Sequence, residues 1–438
     1  MDTICAISTA YGQGGIAVLR VSGDRALAVV NSLFVGRRPL LEAPAYSVLH
    51  GSICRGDELL DEVLLTVFRA PHSYTGEDVV EIACHGSLYI QQEMLRWLVD
   101  AGCRMARPGE FTQRAFLSGK MDLTRAEAVA DLIASQSRAE KDLALSQLRG
   151  SVSSRIAQLR DRLLHLTSLL ELELDFADHE ELEFADRDQL RSLADEIVDT
   201  LRSLTDSFRT GNAIRHGVPV AIVGAPNAGK STLLNALLGE ERAIVSDISG
   251  TTRDTVEDTL LIDGVLFRLV DTAGIHHTDD HLEQLGIERS LEAARRAQIV
   301  LEVIDATSPV FDPRFADDPR VLRVWNKCDL QPRANSHEQI AISAKTGEIQ
   351  PLRDELARRA TQTYDRSAVM ISNARHYEAL LRALEAIQRV QQGMNDGLSG
   401  ELLSMDLQDC LSALGEVTGQ ITSQDVLNNI FSKFCIGK

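Results

Sequence analysis

The stretch from residue 218 to residue 254 constrains the fold of this chain more than any other. An apolar run, Val218 to Val223, has the composition of a buried strand, and the sequence GAPNAGKS (224–231) follows it directly. From Leu233 to Leu238, leucines recur on one face of a predicted helix. A strand, a turn of the pattern G-x-x-x-x-G-K-[ST] and a helix, in this order, predict a phosphate-binding loop.

Each kind of residue in this loop has a chemical reason to be there. The glycines at 224 and 229 let the backbone N–H groups turn towards phosphate oxygens, and the helix N-terminus adds the positive end of its dipole. Lys230 reaches the β- and γ-phosphates, and the Ser231 hydroxyl ligates Mg²⁺. The predicted phosphate contacts are Asn227, Ala228, Gly229, Lys230, Ser231 and Thr232.

Two later motifs predict which base is bound. Asn326-Lys-Cys-Asp329 follows an apolar strand, and the Asp329 carboxylate can accept hydrogen bonds from the N1–H and the exocyclic amine of guanine. Adenine lacks this donor pair and would leave the carboxylate unpaired. Ser343-Ala-Lys345, after the next strand, matches a third part of a guanine pocket. The predicted base contacts are Asn326, Lys327, Asp329, Ser343, Ala344 and Lys345.

Two further elements predict hydrolysis of the nucleotide. Asp271-Thr-Ala-Gly274 fits D-x-x-G, in which Asp271 lies beyond the direct Mg²⁺ ligands and the Gly274 N–H senses the γ-phosphate. Gly250-Thr-Thr-Arg-Asp254 supplies a second Mg²⁺ hydroxyl, from Thr252. Four elements in this order predict a GTPase. The residue after Gly274 is Ile275, which cannot hold water, so either hydrolysis is very slow or another residue orients the water.

Composition limits the partners and the compartment. The net charge of −19 argues against binding of nucleic acid through the overall charge of the protein. RNA would therefore contact a local basic patch or a second protein. Seven scattered cysteines without a C-x-x-C pair fit a reducing cytoplasm, and neither a disulfide framework nor a zinc site. The first residues do not have the pattern of a signal peptide, and no apolar run approaches the roughly 20 residues that span a bilayer. The sequence therefore predicts a cytoplasmic protein without a membrane segment.

The pattern of strands and helices predicts several domains. Residues 1–118 mix predicted strands with helices, and 216–367 alternate strands with helices around the phosphate loop. The flanks, 119–215 and 368–438, have helical periodicity. The predicted strands of the first part are Ile16–Val21, Val63–Phe68 and Val79–Cys84, and the predicted helices include Ala26–Phe34, Ser87–Val99, Ala374–Gln392 and Leu402–Phe434.

The predicted fold is thus multidomain, α/β plus all-α. It comprises an N-terminal α/β domain (1–118), a discontinuous helical domain made of both flanks, and a Ras-like P-loop domain inserted between them. An insertion of this kind requires only that the two ends of the inserted domain lie close together.

The four GTPase elements, the sequence GEFTQRAFLSGKMDL (109–123) and the terminal FCIGK (434–438) resemble the MnmE (TrmE) family of tRNA modification GTPases. The resemblance covers essentially the whole chain. It implies an N-terminal folate-binding and dimerisation domain, a helical domain from two segments and an inserted G domain, in agreement with the layout above.

The resemblance also implies an activity. A K⁺-stimulated, homodimeric GTPase works with the FAD-containing flavoprotein MnmG on carbon 5 of the wobble uridine of certain tRNAs. There it adds an aminomethyl or carboxymethylaminomethyl group, using 5,10-methylene-tetrahydrofolate or 5-formyl-tetrahydrofolate as the bound folate. Two other hypotheses remain open: a regulatory switch of the ribosome-assembly type without a covalent role, and a scaffold that binds folate without turning it over.

Several site residues follow from the resemblance alone. Glu283 orients the attacking water, Cys435 is needed for modification, and both join Lys230 as the expected catalytic residues. The implied K⁺ ligands are Asn227, Ser246, Ile248 and Thr251, and the implied folate contacts are Arg20, Glu81, Lys120 and Lys438. The remaining expected GTP contacts are Ser246, Asp247, Ile248, Ser249, Gly250, Thr251, Thr252, Asp271, Thr272, Ala273 and Gly274.

Overall fold

A computed structural model describes most of the chain. The described residues are 2–175, 187–240, 258–270, 291–336, 339–362, 369–432 and 434–437. The chain divides into two compact units, Met1–Ala130 with Gly415–Lys438, and Asp131–Leu414. In the described parts of the chain, every helix is too short or too polar to span a bilayer. The domain boundaries predicted at 118, 215 and 367 stay predictions.

The named elements are thirteen strands and twelve α-helices among the described residues. The strands are β1 Ile4–Ile7, β2 Ile16–Ser22, β3 Phe34–Gly36, β4 Ser47–Arg55, β5 Glu58–Phe68, β6 Val79–His85, β7 Arg104–Met105, β8 Val218–Val223, β9 Asp258–Ile262, β10 Val265–Leu269, β11 Ile299–Asp305, β12 Val321–Asn326 and β13 Gln339–Ala341. The helices are α1 Ala26–Asn31, α2 Leu88–Asp100, α3 Glu110–Leu117, α4 Leu123–Ala134, α5 Arg138–Leu148, α6 Ser151–Asp175, α7 Arg187–His216, α8 Lys230–Glu240, α9 Gln350–Gln362, α10 Ala374–Asn395, α11 Gly400–Thr418 and α12 Gln424–Ser432.

The first unit is built on a seven-stranded sheet with the order β3-β4-β5-β6-β2-β1-β7. Neighbouring strands are antiparallel except for β1 and β7. Alternate residues of the central strands, such as Leu19 on β2 and Ile82 on β6, are fully buried. They pack with Met94, Trp97 and Leu98 of α2, so the hydrophobic core lies between this helix and one face of the sheet.

An ionic network centred on the buried Arg114 side chain fixes Asp2 in this unit. The Arg114 guanidinium donates hydrogen bonds to carboxylates of Asp2 (2.7 Å), Glu77 (3.0 Å) and Glu110 (3.2 Å). Burial raises the pKa of Glu110, but hydrogen bonds from Arg104, from the Arg107 backbone N–H and from Arg114 outweigh burial and hold this pKa at about 2. The network therefore stays ionised at neutral pH and joins three separate segments.

The C-terminal residues pack in the same unit. Phe434 lies in a small apolar cluster with Leu123 of α4 and with Leu427 and Phe431 of α12. The Gly109 N–H donates to the Cys435 carbonyl at 3.5 Å, and the Ser8 hydroxyl donates to the Gly437 carbonyl at 3.2 Å. The tail thus lies against the end of β1 and against the turn before α3.

The second unit contains a six-stranded sheet with the order β13-β12-β11-β8-β10-β9. All neighbouring strands are parallel except β9 and β10, which form an antiparallel hairpin. The chain adds β10 on one side of β8 and then β11 on the other. The order of the sheet therefore reverses at β8, and ligands of such sheets bind in the crevice at the carboxyl end of that strand.

The core of this sheet is shared with two helices that precede it in sequence. Ala139 and Leu143 of α5, and Ala213 and Ile214 of α7, belong to the same buried cluster as the strands β8 to β13. The α5 helix begins directly against the β9–β10 hairpin, where the Ala139 N–H donates to the Gly264 carbonyl at 3.1 Å. The sheet and these helices therefore bury one continuous apolar surface.

Helices from both flanks of the sheet domain pack together. The rings of Phe208 on α7 and Tyr377 on α10 stack with their centroids 4.2 Å apart. The Gln147 side chain at the end of α5 donates to the Ser372 hydroxyl at 3.0 Å. These contacts agree with a helical domain made of two sequence segments, with the nucleotide-type sheet between them in sequence.

Two predicted elements are wrong in their extent. The helix predicted over Ala26–Phe34 ends at Asn31, and Phe34 begins strand β3 because its ring faces the sheet core. The helix predicted over Leu402–Phe434 is two helices, α11 and α12. The break occurs at Gly419, where φ is +81° and the N–H groups of Gln420 and Ile421 both bond the Gly415 carbonyl.

Gly211 lies where α7 closely approaches the segment before α10. A Cβ added at this glycine would lie 2.3 Å from the Ile371 carbonyl oxygen, a backbone atom that cannot turn away. We expect Gly211→Ala to lower the apparent thermal unfolding midpoint by about 2–6 °C, because the clash outweighs the gain of about 1 kcal/mol in helix propensity. Differential scanning calorimetry measures this midpoint.

The matched control is Gly239→Ala in α8, where an added Cβ meets no atom within 4 Å. This variant should leave the midpoint unchanged or raise it slightly. Equal midpoints for the two variants would contradict the proposed packing at Gly211.

Candidate active site

The GAPNAGKS sequence forms a tight loop between β8 and α8, as the strand–turn–helix pattern predicts. Gly229 has φ +95°, and a Cβ added there would lie 2.2 Å from the side-chain nitrogen of Asn326. A side chain at this position would displace the neighbouring loop 326–329 (the guanine loop). Asn227 also has a positive φ, +60°, so the loop takes a left-handed turn that few residues tolerate.

Lys230 begins α8 and folds back over the loop. Its ammonium donates to the carbonyls of Gly224 at 2.8 Å and of Ala225 at 2.9 Å. Burial lowers the pKa of Lys230 from its usual value. An anionic phosphate placed in this loop would favour the charged lysine, which is the chemistry expected of a phosphate-binding lysine. Ser231 is half-buried and Thr232 is exposed at the start of the same helix.

Asn326, at the end of β12, joins the phosphate loop to the loop 343–345. Its side-chain nitrogen donates to the Ala228 carbonyl at 2.9 Å, and its side-chain oxygen accepts from the Ala344 N–H at 3.0 Å. The side chain is buried, so both bonds replace contacts with water. The structure thus brings together the predicted residues of three motifs.

The predicted base-recognition carboxylate is also held in place. The Ser343 hydroxyl donates to an oxygen of Asp329 at 2.8 Å. Asp329 is exposed, whereas Ser343 and Ala344 are buried and Lys345 is exposed. The Asp329 carboxylate is therefore exposed, and the Ser343 hydroxyl holds it in place. This arrangement suits hydrogen bonding to a planar ligand that carries two adjacent donors.

Lys327 and Asp305 form a contact that the sequence analysis missed. The Lys327 ammonium lies 2.6 Å from the Asp305 carboxylate and also donates to the Asn227 carbonyl at 2.9 Å. Hydrogen bonds from Lys327 and then Thr307 lower the pKa of Asp305 to about 2. Asp305 directly follows a buried run at the end of β11. No short motif like that of Asn326 to Asp329 marks Asp305, so the sequence did not reveal the pair.

Other predicted nucleotide and metal residues lie outside the described residues. This holds for the expected water-orienting Glu283 and for both stretches that would carry the switch motifs. The predicted residues concerned are Ser246, Asp247, Ile248, Ser249, Gly250, Thr251, Thr252, Asp271, Thr272, Ala273, Gly274 and Glu283.

Two of the predicted folate contacts form an ion pair on neighbouring strands of the first unit. Arg20 on β2 and Glu81 on β6 are register partners, and the guanidinium donates to one carboxylate oxygen at 2.8 Å and 3.0 Å. The Arg20 guanidinium also lies 5.3 Å from the ring centroid of Tyr74 and 5.6 Å from that of Phe111. The pair therefore lies on two central strands of the sheet, beside two aromatic rings.

Lys120 and Cys435 belong to the same unit. The Lys120 ammonium donates to the Pro71 carbonyl at 2.9 Å, so it lies against the loop that also carries Tyr74. Cys435 is exposed, and its carbonyl accepts from Gly109. The fourth predicted folate contact, Lys438, is outside the described residues.

Clusters of metal-ligating side chains offer no rival site. Among the described residues, no group of three or more His, Cys, Asp or Glu side chains is placed to hold a metal ion. The described candidates for cation binding are the Ser231 hydroxyl and the Asn227 carboxamide, which are oxygen donors of the kind that Mg²⁺ and K⁺ take. The seven cysteines are free thiols.

Comparisons with known proteins identify the family. The family model of the MnmE helical domain matches residues 123–435, and that of the GTP-binding protein TrmE N-terminus matches residues 3–120. The tRNA modification GTPase MnmE of Parabacteroides distasonis is 53% identical, with all of both chains covered. The chain belongs to the MnmE family of tRNA modification GTPases. This membership confirms the predicted three-part fold and the predicted enzyme class, a GTPase.

Further relatives agree with this assignment. The tRNA modification GTPases MnmE of Bacteroides fragilis strain ATCC 25285 and of Christiangramia forsetii are 49% and 46% identical, each over 100% of this chain and 99% of its own. Among solved structures, the G domain of the T. maritima FeoB iron transporter is 20% identical over 33% of this chain and 98% of that one, with a TM-score of 0.24. That score is too low to support a conclusion about the fold.

Asp329 gives the sharpest test of the base contact. We expect Asp329→Asn to weaken GTP affinity on the order of 100-fold and to strengthen binding of xanthosine triphosphate, since the amide donates where the carboxylate accepted. Competition titration with a fluorescent guanine nucleotide measures both affinities. Asp317→Asn, which changes an exposed carboxylate before β12, is the control and should bind GTP like the unmodified protein. Unchanged GTP affinity in Asp329→Asn would contradict the assignment.

Proposed function

We propose that this GTPase is K⁺-stimulated and homodimeric, and that it acts with a flavoprotein partner of the MnmG type, which carries FAD. Together they add an aminomethyl or carboxymethylaminomethyl group to carbon 5 of the wobble uridine of certain tRNAs. The one-carbon unit comes from a tetrahydrofolate held by the N-terminal unit, with 5,10-methylene-tetrahydrofolate as donor and 5-formyl-tetrahydrofolate as a stable bound form.

The observation that carries the folate part is the position of the chain end. The tail 434–437 packs in the unit that also contains the Arg20–Glu81 pair and Lys120, through bonds to Gly109 and Ser8. An exposed thiol at Cys435 is thereby fixed to the same unit as the expected folate contacts. A regulatory switch without covalent chemistry would not need this arrangement.

The chemistry of the Arg20–Glu81 pair suits a pterin. A pterin carries an N–H and an exocyclic amine side by side, and a carboxylate such as that of Glu81 can accept from both. The partly exposed ring of Tyr74 provides flat apolar surface beside it, and the fully buried ring of Phe111 packs against the Arg20 guanidinium. The positive charge of Lys120 suits the carboxylates at the other end of a folate.

The phosphate loop suits the proposed cations. Asn227 is exposed and sits at the left-handed turn of the loop, so its carboxamide oxygen is accessible to a monovalent ion. A K⁺ ion bound there would supply positive charge against the negative charge that grows on the phosphate oxygens during hydrolysis. Ser231 would hold Mg²⁺ with Thr252, and Ser246, Ile248 and Thr251 would complete the K⁺ ligands. Glu283 would orient the water.

The charge and the cysteines support the remaining partners and the compartment. A chain with net charge −19 is poorly suited to bind tRNA by itself. The flavoprotein would therefore make much of the contact with the tRNA. Seven free thiols suit a reducing compartment, and the proposal places the protein in the cytoplasm.

Exchange of K⁺ for Na⁺ tests the cation part of the proposal. We expect GTP turnover at saturating GTP to fall by about tenfold to a hundredfold in Na⁺, because the smaller ion fits the same oxygen ligands poorly. GDP affinity, measured by fluorescence, should change little and serves as the control. Turnover that does not depend on the cation would remove Asn227 from this role.

Cys435→Ser tests the covalent part. We expect cells that carry only this variant to lose the wobble-uridine modification, measured by mass spectrometry of tRNA nucleosides, while the purified variant keeps its GTPase rate. Cys54→Ser, a half-buried cysteine on β4, is the matched control and should modify tRNA normally. Normal modification in Cys435→Ser would favour the switch or scaffold hypotheses.

A further inference from the structure

We propose that Asp305 is a positioning residue of the nucleotide site, which holds Lys327 across the gap between the guanine loop and the phosphate loop. This inference concerns GTP binding, which belongs to the enzyme class of the family, and does not depend on the potassium or folate parts of the proposed function.

The backbone geometry of Lys327 explains why an anchor is needed. Its φ of +64° is left-handed, a conformation that costs a residue with a side chain about 1–2 kcal/mol. Lysine also has a long side chain that loses rotamer freedom when it is fixed in one direction. Contacts to the ammonium must offset both costs if the side chain is to remain in a defined place.

Among the described residues, two contacts fix the ammonium, of which one involves a charge. Asp305 lies 2.6 Å away and supplies the opposite charge, whereas the Asn227 carbonyl at 2.9 Å supplies a neutral acceptor. Charge-assisted hydrogen bonds are the stronger kind. The exposed fractions of the two side chains are 17% for Asp305 and 33% for Lys327, so the pair is partly shielded from water.

Asp305 is itself held firmly. One carboxylate oxygen accepts from the Thr307 N–H at 2.9 Å and from the Thr307 hydroxyl at 2.7 Å, which leaves the other oxygen for Lys327. The parallel strands β11 and β12 pair Asp305 with Asn326, the residue before Lys327. The carboxylate is therefore carried on a rigid strand end beside the lysine that it orients.

The pair completes a two-bond connection between the loops. Asn326 donates to the Ala228 carbonyl, and Lys327 donates to the Asn227 carbonyl, so consecutive residues of one loop bond consecutive residues of the other. The Asn326 bond is enclosed in the core and needs no anchor. The Lys327 bond depends on Asp305, because an unanchored ammonium beside a bound triphosphate would be attracted to its oxygens instead.

The test is Asp305→Asn, which keeps the shape of the side chain and, through its oxygen, the Thr307 contacts. It removes the charge and turns an NH2 group, which cannot accept, towards Lys327. We expect the Kd for GDP and the KM for GTP to rise about fivefold to twentyfold, mainly through faster dissociation. The kcat at saturating GTP should stay within about threefold of the unmodified value, because Asp305 is not placed against the reacting phosphate. Stopped-flow release of a fluorescent GDP and steady-state hydrolysis measure these quantities.

The matched control is Asp312→Asn, which removes the charge from a similar pair with Arg314 at 2.6 Å. This variant should bind GDP normally. Thr307→Val is a second control, because it removes one bond to the same carboxylate and keeps the ion pair; it should change GDP affinity less than twofold. Asp305→Glu keeps the charge and should retain most of the affinity. If Asp305→Asn proves unstable by calorimetry, Lys327→Met removes the same ion pair from its other side and should raise the Kd for GDP at least as much.

A double-mutant cycle with Lys327→Met separates positioning from a purely structural role. If Asp305 acts through Lys327, Asp305→Asn should change the Kd for GDP less than twofold once Lys327 is replaced. An effect of the same size in both backgrounds would overturn the proposal, as would an unchanged Kd in the single variant.

Discussion

The buried carboxamide of Asn326 is the interaction on which the nucleotide site depends. It bonds the Ala228 carbonyl of the phosphate loop on one side and the Ala344 N–H of the loop 343–345 on the other. Both partners are shielded from water, so loss of either bond would leave a buried polar group unsatisfied, which costs about 1–3 kcal/mol. The same side chain excludes a Cβ at Gly229. The outward carboxylate of Asp329 and the bridging ammonium of Lys327 are then placed relative to this fixed point.

In the first unit, ion pairs hold together segments that are distant in sequence. Arg114 binds carboxylates from residues 2, 77 and 110, which are distant in sequence, and thereby fixes the first residues of the chain beside α3. The last described residues return to the same place through Gly109 and Ser8. The first and the last described residues are thus anchored on one small sheet domain. Replacement of one partner in such a network strongly lowers stability, because it leaves a buried charge unpaired.

Much of the fold could be predicted from local sequence, because the signals there are strong. The strand Val218–Val223 was predicted to the residue, since an apolar run ends abruptly at the glycine-containing loop. Phosphate and guanine recognition also impose short fixed motifs. Contacts between residues distant in sequence are not marked by short motifs of this kind. The Asp305–Lys327 pair joins residues on different strands, and the bond from Gly109 to Cys435 joins opposite ends of the chain. The break between α11 and α12 was missed because apolar periodicity continues across Gly419.

The apolar surface shared between the nucleotide sheet and the helices before it has a consequence for dissecting this protein. A recombinant piece that starts at Val218 and stops at Gln362 would contain every strand of that sheet. It would lack Leu143, Ala213 and Ile214, which cover one side of its core. Such a piece would expose apolar side chains to water and would tend to self-associate. Dimerisation measured on it would therefore be difficult to distinguish from aggregation. A piece that also contains residues 138–216 would keep that side closed.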